Sequence, residues 1–261
     1  GGGSDVANIK TTAKRDGNYY VLNGQKTFIT NGVNADYVIV AAKTREKPTH
    51  RNISLFIVET NSEGYSVGKK LKKLGWRSSD TGELFFENVR VPKKNLIGTE
   101  NEGFRYIMQN FQYERMTLAL GCIGAAEKAL ELAIKYSKER IQFKKPLSEF
   151  QVLRHKMVDM AVDIEKARNI TYRALYLYNS GKDCVTEATM AKVYASEMLN
   201  RVTDQALQIH GGNGYMMEYS IQRLWRDARI QTIGGGTTQI MNEILTKQLG
   251  ILSRPNKLQT Q

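Results

Sequence analysis

Cysteine is scarce in this chain of 261 residues, and long apolar runs are absent. The two cysteines, Cys122 and Cys184, both fall in helical patterns, which indicates buried thiols in a reducing compartment rather than a disulfide framework. No run reaches the length of a membrane span, and no signal-peptide pattern is present. The chain opens with GGGSD rather than Met. We therefore interpret it as a processed product, an expression product or a piece of a longer protein.

Acidic residues are outnumbered, because 38 Lys and Arg against 26 Asp and Glu give a net charge of +12. Such an excess can serve nucleic acid, acidic lipid or phosphorylated small molecules. The basic residues form short clusters at residues 69–73, 93–94, 138–140 and 144–145, and a solvated face is the usual explanation of such clusters. Since no recognised nucleic-acid-binding motif accompanies them, we do not expect DNA or RNA to be a partner.

The first hundred residues show the two-residue period of β-strands. Runs rich in β-branched and aromatic residues predict strands at residues 19–22, 26–30, 37–42, 53–59 and 83–86. Between the first two runs, Asn23-Gly24 is a strong signal for a type I′ hairpin turn. This spacing predicts a small antiparallel barrel or sandwich.

After Val91-Pro92 the period changes to about 3.6 residues. The pattern predicts helices at about residues 101–137, 149–180, 185–210, 216–231 and 238–252. Long helices joined by short links are typical of an antiparallel bundle. We therefore predict an α+β chain of two domains, with the β barrel or sandwich over residues 1–99 and the helical bundle over residues 100–261.

Glu114 falls on the predicted apolar stripe of the first long helix. It lies three residues after Phe111 and four before Leu118. Its other neighbours at helical spacing, Asn110 and Thr117, are uncharged, so its own helix supplies no cation there. A carboxylate that faces a core is costly unless it is paired or functional, and such a setting suits it to proton abstraction. An ion pair with a residue of another helix is the alternative.

Two glycine clusters follow helices in the second half of the chain. His210-Gly211-Gly212 does not follow a strand, so it is no dinucleotide fingerprint. Gly234-Gly235-Gly236 precedes Thr237, which opens the next helix. Glycines let the backbone approach a ligand closely, and the N–H groups of a helix start attract acceptor atoms. A plain helix–helix turn with a Thr N-cap is the alternative.

Six segments, in this order, resemble the acyl-CoA dehydrogenase family. They lie at residues 3–7, 23–32, 140–143, 208–215, 226–229 and 234–239. Each is weak alone, but their order and the change from β to helical pattern resemble the family over essentially the whole chain. The family's N-terminal helical domain would precede residue 1, so we expect this chain to lack it. Segments around Ala195 and Met241 resemble the long-chain and isovaleryl-CoA branch.

The resemblance implies an FAD-dependent enzyme that converts an acyl-CoA thioester to the trans-2-enoyl-CoA. A carboxylate takes the α proton, a hydride passes from Cβ to the flavin, and an electron-transfer flavoprotein receives the electrons. Most members carry their catalytic Glu in the glycine loop, where this chain has Gly235. A minority place it on the first bundle helix, where this chain has Glu114. The resemblance therefore implies that Glu114 is the catalytic base.

The resemblance also implies a set of substrate-binding residues. They are Ser4, Tyr113, Arg115, Gly235 and Gly236. Backbone N–H groups of the glycine loop would polarise the thioester oxygen, because the α proton is only weakly acidic. For Arg115, a buried ion pair is the alternative.

A larger set resembles residues on the FAD side. It comprises Phe28, Ile29, Thr30, Arg140, Gln142, Phe143, Gln151, Gln208, Ile209, His210, Gly211, Gly212, Thr237, Thr238 and Gln239. Phe28 replaces the family's Trp, so an aromatic wall remains without its N–H; a plain core strand is the alternative. His210 alone would more often be a packed histidine than a ligand. No metal site is expected.

The resemblance further implies a homotetramer, a dimer of dimers with FAD at a subunit interface. The implied partners are the acyl-CoA substrate and an electron-transfer flavoprotein. We expect the cytoplasm for a bacterial protein and the mitochondrial matrix for a eukaryotic one. Two other hypotheses stay open: a non-catalytic nucleic-acid-binding protein on the same scaffold, motivated by the charge of +12, and a related oxidase that passes electrons to oxygen.

Overall fold

The structure is a computed structural model that describes residues 3–48 and 50–252. The chain divides into two compact units, Gly1–Asn110 and Phe111–Gln261, which we name the β unit and the helical unit. Within the described ranges, no helix combines the length and the apolar character that crossing a bilayer requires.

One seven-stranded sheet builds the β unit. Its strands are β1 (Thr12–Asp16), β2 (Tyr19–Thr30), β3 (Tyr37–Lys43), β4 (Ile53–Glu59), β5 (Tyr65–Lys70), β6 (Thr81–Pro92) and β7 (Leu96–Ile97). Their order across the sheet is β5-β6-β2-β1-β3-β4-β7, and the neighbours are antiparallel except for the parallel pair β1 and β3. Alternate residues point into a core that includes Tyr20, Leu22, Phe56 and Phe86. The predicted antiparallel β fold is confirmed.

The predicted hairpin at Asn23-Gly24 is wrong. β2 runs unbroken through this dipeptide, and its register with β6 shifts between Leu22 and Gly24. Gly24 has a φ of 142°, and a Cβ there would lie 2.8 Å from the Cα of Thr11. The dipeptide marks a β-bulge, since the glycine backbone that suits a tight turn also suits a bulge. The chain turns between β1 and β2 at Gly17-Asn18 instead.

The remaining strands agree with the sequence pattern to different degrees. β4 has the predicted bounds, β3 is one residue longer than predicted, and β6 extends well beyond residues 83–86 at both ends. The pattern does not predict β1, β5 or β7. Two of these are short, and β5 is a largely exposed edge strand, so they carry little of the buried alternation that identifies a strand.

In the part of the chain that the structure describes, five α-helices follow the sheet. They are α1 (Gly103–Glu139), which continues from the β unit into the helical unit, α2 (Gln151–Asn179), α3 (Val185–His210), α4 (Ile221–Ala228) and α5 (Thr238–Gln248). α3 has the predicted bounds, and α1, α2 and α5 differ from them by a few residues. α4 is shorter than predicted, because it begins only at Ile221 and a 3₁₀ turn at Arg229–Thr232 takes up the end of the expected range. The predicted helical bundle is confirmed.

α3 is the central helix of the helical unit. It packs against α2, α4 and α5, and its buried residues lie on more than one face. Many of them are small, among them Ala188, Ala191, Ala195 and Ala206. Small side chains allow a close approach between helix axes. The buried set also includes a charged residue, Lys192.

Candidate active site

Glu114 is exposed, so its predicted place on the buried stripe of α1 is wrong. The buried face of α1 runs through Arg115, Met116, Ala119 and Cys122. The predicted stripe passes through Phe111, Glu114 and Leu118. In the structure these positions lie at the edge of the buried face, and Glu114 itself is exposed. An offset of one residue turns a helical side chain by about 100°, and this offset places Glu114 outside and its neighbour inside.

Arg115 is the neighbour that α1 buries, with 7% of the residue exposed. Its guanidinium carbon lies 5.8 Å from the ring centroid of Phe111. Its Nε is buried and has no hydrogen-bond partner among the residues that the structure describes. Burial lowers the pKa of Arg115, and the negative charge of Glu114 acts in the opposite direction. The exposed carboxylate and the buried guanidinium therefore interact electrostatically.

Lys192 lies on the buried side of α3 and is 0% exposed. Its ammonium donates a hydrogen bond to the carbonyl oxygen of Gly236 in the glycine loop. Burial lowers the pKa of Lys192 to about 8, and Cys122 and Arg115 on α1 and Glu197 on α3 act on it electrostatically. This bond ties the glycine loop to the central helix.

Lys192 is not among the predicted site residues, although the sequence carries a signal for it. Lys192 is four residues after Ala188 and three before Ala195, on the apolar face of a well-predicted helix. Lysine is almost never fully buried without a partner. A lysine at a core position therefore predicts a specific acceptor, but the sequence pattern does not show that the acceptor is Gly236.

The glycine loop uses backbone conformations that other residues rarely adopt. Gly235 has a φ of 65° and Gly236 a φ of 101°. A Cβ on Gly235 would lie 3.2 Å from the Cδ1 of Leu118 on α1, and a Cβ on Gly236 would overlap the Cε of Met241 on α5. The loop is thus packed between α1, α3 and α5, and the contact with Leu118 comes one helical turn after Glu114.

The N-terminus of α5 follows the loop directly. Thr237 is the N-cap, and its Oγ1 accepts a hydrogen bond from the backbone N–H of Ile240 at 3.3 Å. The predicted N-cap role of Thr237 is therefore confirmed, and this role does not prevent the residue from also contacting a ligand. Thr238 has a buried Oγ1 without a hydrogen-bond partner in the described part of the chain, and Gln239 is exposed. The first N–H groups of a helix lack partners within it, so this end of α5 suits an acceptor-rich ligand.

Phe28 occupies a second bulge of β2. The register with β6 shifts between Lys26 and Ile29, and Phe28 has a φ of 63° with 77% of the residue exposed. Ile29 is half-buried and Thr30 is exposed. A bulky residue with positive φ is a backbone outlier of the kind that accompanies functional sites. The bulge turns an aromatic ring out of the sheet, so the alternative of a plain core strand does not describe Phe28.

Asp80 fixes the segment that follows Thr30. Its carboxylate accepts hydrogen bonds from the backbone N–H of Val33 and from the side-chain amide of Asn34, each at 2.9 Å. Its carbonyl oxygen accepts a third bond from the N–H of Asn31 at 3.1 Å. This buried carboxylate is not among the predicted site residues, because its partners lie more than forty residues earlier in the chain and no motif connects them.

Arg140, Gln142 and Phe143 lie on a small hairpin between α1 and α2, formed by β8 (Ile141–Gln142) and β9 (Lys145–Pro146). All three residues are exposed, and Phe143 is 87% exposed with a φ of 50°. The ring of Phe143 meets Phe150 edge-on at a centroid distance of 6.2 Å. Gln151, the next residue, is exposed at the start of α2. These four predicted residues therefore lie on one exposed segment that runs from the end of α1 to the start of α2.

His210 ends α3 as a packed side chain. Its ring stacks on Tyr136 at a centroid distance of 4.4 Å, and its Nδ1 lies 2.7 Å from the carbonyl oxygen of Ala206. Burial lowers the pKa of His210. Of the neighbouring predicted residues, Ile209 is buried, whereas Gln208, Gly211 and Gly212 are exposed. The exposed surface at this end of α3 is thus made by Gln208 and the glycines.

The last two predicted residues lie in different units. Tyr113 is exposed on α1, with its ring centroid 6.1 Å from that of Tyr178. Ser4 is exposed in the β unit, just before a 3₁₀ turn at Val6–Asn8. Within the helical unit, the glycine loop contacts both Leu118 of α1 and Lys192 of α3.

Two family models cover most of the chain. The acyl-CoA dehydrogenase middle domain matches residues 1–89, and the acyl-CoA dehydrogenase C-terminal domain matches residues 101–250. The chain belongs to the acyl-CoA dehydrogenase family. The predicted family resemblance is confirmed.

Relatives and solved structures agree with this acyl-CoA dehydrogenase assignment. The chain is 43% identical to the CarC subunit of the caffeyl-CoA reductase–Etf complex of Acetobacterium woodii, over 95% of its own length and 66% of that protein. It is also 43% identical to the mitochondrial long-chain specific acyl-CoA dehydrogenase of Rattus norvegicus, over 95% of its length and 58% of the relative. The crystal structure of a probable acyl-CoA dehydrogenase from Mycobacterium abscessus superposes with a TM-score of 0.93 at 47% identity, covering 95% and 66% of the two chains. The chain thus spans two thirds or less of these relatives.

Members of the acyl-CoA dehydrogenase family are FAD-dependent flavoproteins, and the described residues fit this cofactor. Two exposed aromatic rings, Phe28 and Phe143, sit on left-handed backbone and offer flat apolar faces. The start of α5 offers backbone N–H groups that lack partners within the helix, and these suit oxygen and nitrogen acceptors. These features are the ones expected of surfaces that a bound dinucleotide covers.

Proposed function

We propose that the protein carrying this chain is an acyl-CoA dehydrogenase that uses FAD to convert an acyl-CoA thioester to the trans-2-enoyl-CoA. The observation that carries the proposal is the contact between the glycine loop and α1. A Cβ on Gly235 would lie 3.2 Å from Leu118, and Glu114 precedes Leu118 by one helical turn on the same side of α1. A carboxylate from position 114 and one from position 235 would therefore approach the same region.

Glu114 is the proposed base. Gly235 has no side chain, so a carboxylate must come from a neighbouring element. Glu114 is exposed, so its oxygens are accessible to a substrate. The buried positive charge of Arg115 beside it attracts the carboxylate electrostatically. Glu114 takes the proton from the α carbon, while bound FAD supplies the acceptor for the hydride that leaves the β carbon.

The glycine loop is proposed to hold the thioester. Removal of the α proton places negative charge on the thioester oxygen, and hydrogen-bond donors aimed at that oxygen lower the barrier. Gly235 and Gly236 lack side chains that would keep a ligand away from their backbone N–H groups. Packing against Leu118 and Met241 and the bond from Lys192 restrict the loop, which favours donors that are ordered before the substrate arrives.

An electron-transfer flavoprotein is the proposed electron acceptor. The name of the CarC relative associates that subunit with an Etf complex, which supports a similar partner here. We further propose a homotetramer in which the hairpin with Phe143 and the surface near Gln208 face the FAD of a neighbouring subunit. Their exposure in the single chain supports this arrangement. The likeness to the rat enzyme supports a long acyl chain as substrate.

The central test is Glu114→Gln in the full-length gene product. An acyl-CoA should bleach the visible absorption of the bound flavin in the unaltered protein. We expect Glu114→Gln to slow bleaching by about 100- to 10,000-fold, the range that a general base contributes. Flavin content should stay unchanged. Glu131→Gln is the matched control, because Glu131 lies exposed on the same helix in a surface ion pair with Lys128.

Different failures of this experiment have different meanings. Rapid bleaching in Glu114→Gln, at the rate of Glu131→Gln, would remove Glu114 from the role of base. If the protein binds flavin but no acyl-CoA bleaches the flavin absorption, the proposed activity is wrong. If the reduced flavin reoxidises rapidly in air, the protein is an oxidase rather than a dehydrogenase.

A further inference from the structure

We infer that Lys192 is a positioning residue, which sets the peptide plane between Gly236 and Thr237 and thereby orders the glycine loop and the start of α5. The consequence for catalysis rests on the proposed function. The positioning itself does not, because it is a property of the fold that can be measured without substrate.

The first step is the direction of the bond. The ammonium of Lys192 donates to the carbonyl oxygen of Gly236. A trans peptide is planar, so the carbonyl of Gly236 and the N–H of Thr237 point in opposite directions within one rigid group. Fixing the oxygen toward α3 therefore fixes the Thr237 N–H away from α3. The orientation of a backbone donor at the start of α5 is thus set by a side chain on another helix.

The second step is that this peptide plane needs an external restraint. Gly236 has a φ of 101° and, without a Cβ, its own conformational preferences are weak. On the far side, Thr237 makes two bonds that depend on its position: its Oγ1 accepts from Ile240, and its carbonyl oxygen accepts from Met241 at 2.9 Å. Lys192 therefore restrains the flexible side of a junction whose other side is already helical.

The third step concerns the charge of Lys192. Desolvating an ammonium is unfavourable, and in the described residues no carboxylate lies at ion-pair distance from it. A methionine at this position would fill the same core volume without that desolvation. What methionine lacks is the ability to donate a hydrogen bond to a carbonyl. The bond to Gly236, rather than core packing, is therefore what distinguishes lysine here.

Amide hydrogen exchange of Ile240 and Met241 in the full-length gene product, without substrate, tests the positioning. Both amides bond to Thr237. We expect Lys192→Met to raise their exchange rates by roughly tenfold or more, because a hydrogen bond from a charged donor is lost. Lys128→Met, which removes an exposed lysine of α1, is the matched control and should change nothing. Unchanged exchange in folded Lys192→Met would overturn the inference.

A second measurement uses the unaltered protein, so it tests the inference even if Lys192→Met does not fold. Above pH 8 Lys192 loses its proton, and a neutral amine is a weaker donor. After correction for the intrinsic pH dependence of exchange, protection of Ile240 and Met241 should fall as the pH rises through about 8. Cys122 and Arg115 on α1 and Glu197 on α3 are the groups that act electrostatically on Lys192, and burial raises the pKa of Cys122 to about 12, above this range. Constant protection would contradict the inference.

Kinetics then separate positioning from the proposed chemistry. With an acyl-CoA substrate, Lys192→Met should lower kcat by roughly tenfold or more and alter KM less, because ordered loop donors act mainly on the transition state. Altered exchange in a protein without dehydrogenase activity would uphold the positioning and reject the proposed function. Altered exchange with unchanged kcat would limit the role of Lys192 to the fold and overturn its catalytic consequence.

Discussion

The two units of this chain build their cores from different side chains. The β unit buries large residues, among them Tyr20, Phe56 and Phe86. The helical unit buries many alanines and a set of polar side chains that includes Thr171 and Lys192. A sheet presents separate faces that large side chains cover, whereas helices gain contact by close approach over small residues. The reacting groups proposed here lie in the unit with the small residues.

The buried polar residues of the helical unit show why this is tolerated. Thr171 and Thr203 each donate a hydrogen bond to a carbonyl oxygen four residues earlier, at 2.7 Å and 2.8 Å. Their hydroxyls are satisfied within their own helix. Lys192 differs because it bonds outside its helix, to the glycine loop. Hydroxyls such as these are satisfied locally and need no other element, whereas the bond of Lys192 links two separate elements of the helical unit.

The largest effect on stability is expected in the β core. Phe56→Ala should lower the free energy of unfolding by about 3–5 kcal/mol, because Phe56 is fully buried and its removal leaves a cavity. Phe28→Ala, in the same unit but exposed, should change it by less than about 0.5 kcal/mol. Urea titration of both variants measures the difference. Equal losses would contradict the view that large buried rings hold this unit together.

In the helical unit we expect added volume to be harmful. Ala195→Leu should destabilise by about 1–3 kcal/mol, because a fully buried alanine on α3 leaves no room for three further carbons. Ala161→Leu, exposed on α2, is the matched control and should be nearly neutral. The same urea titration applies. A neutral Ala195→Leu would show that the helices can separate without loss, and the contrast between the cores would be weaker than the structure indicates.

The smallest expected effect compares one lysine from each unit. Burial lowers the pKa of both Lys26 and Lys192 to about 8. The folded chain then binds fewer protons than the unfolded chain between pH 8 and the ordinary lysine range near 10.5, so stability should rise as the pH rises through this window. We expect about 1–3 kcal/mol for each lysine at most.

Unfolding measured at pH 7.5 and pH 9.5 in matched variants tests this. The first value lies about half a unit below the lowered pKa of about 8, and the second lies between that pKa and the ordinary lysine value of 10.5. Lys26→Met and Lys192→Met should each remove part of the rise, whereas Lys128→Met, exposed on α1, should keep it. A rise that survives both buried-lysine variants would show that neither lysine is neutralised in the fold.

Sequence patterns predict the buried and regular parts of this protein best. The bounds of α3 and β4 follow from their apolar periods, because both are buried on more than one side. Asn23-Gly24 does not distinguish a hairpin from a bulge, because a glycine with positive φ suits a bulge as well as a turn. The exposure of Glu114 could not be read from spacing, since the buried face of a long helix depends on which helices cover it.

In each unit, predicted site residues lie beside contacts between residues far apart in sequence. In the β unit, Asp80 accepts hydrogen bonds from the segment that follows β2, and in the helical unit Lys192 donates to a loop more than forty residues later. Neither pairing has a sequence motif of its own. A lysine on an apolar helix face predicts that an acceptor exists, but only the packing of the helical unit identifies it as Gly236.

Gly235 and Gly236 differ in how readily an acidic side chain could replace them, and this difference limits where the catalytic carboxylate can lie in proteins of this fold. At Gly236 a Cβ would overlap the end of the Met241 side chain, and the φ of 101° lies outside the left-handed helical region that other residues occasionally adopt. At Gly235 the obstacle is the end of the Leu118 side chain, which can rotate away, together with a left-handed backbone that most residues adopt reluctantly. A single mutation can therefore place an acidic group in this loop with less backbone strain at position 235 than at position 236.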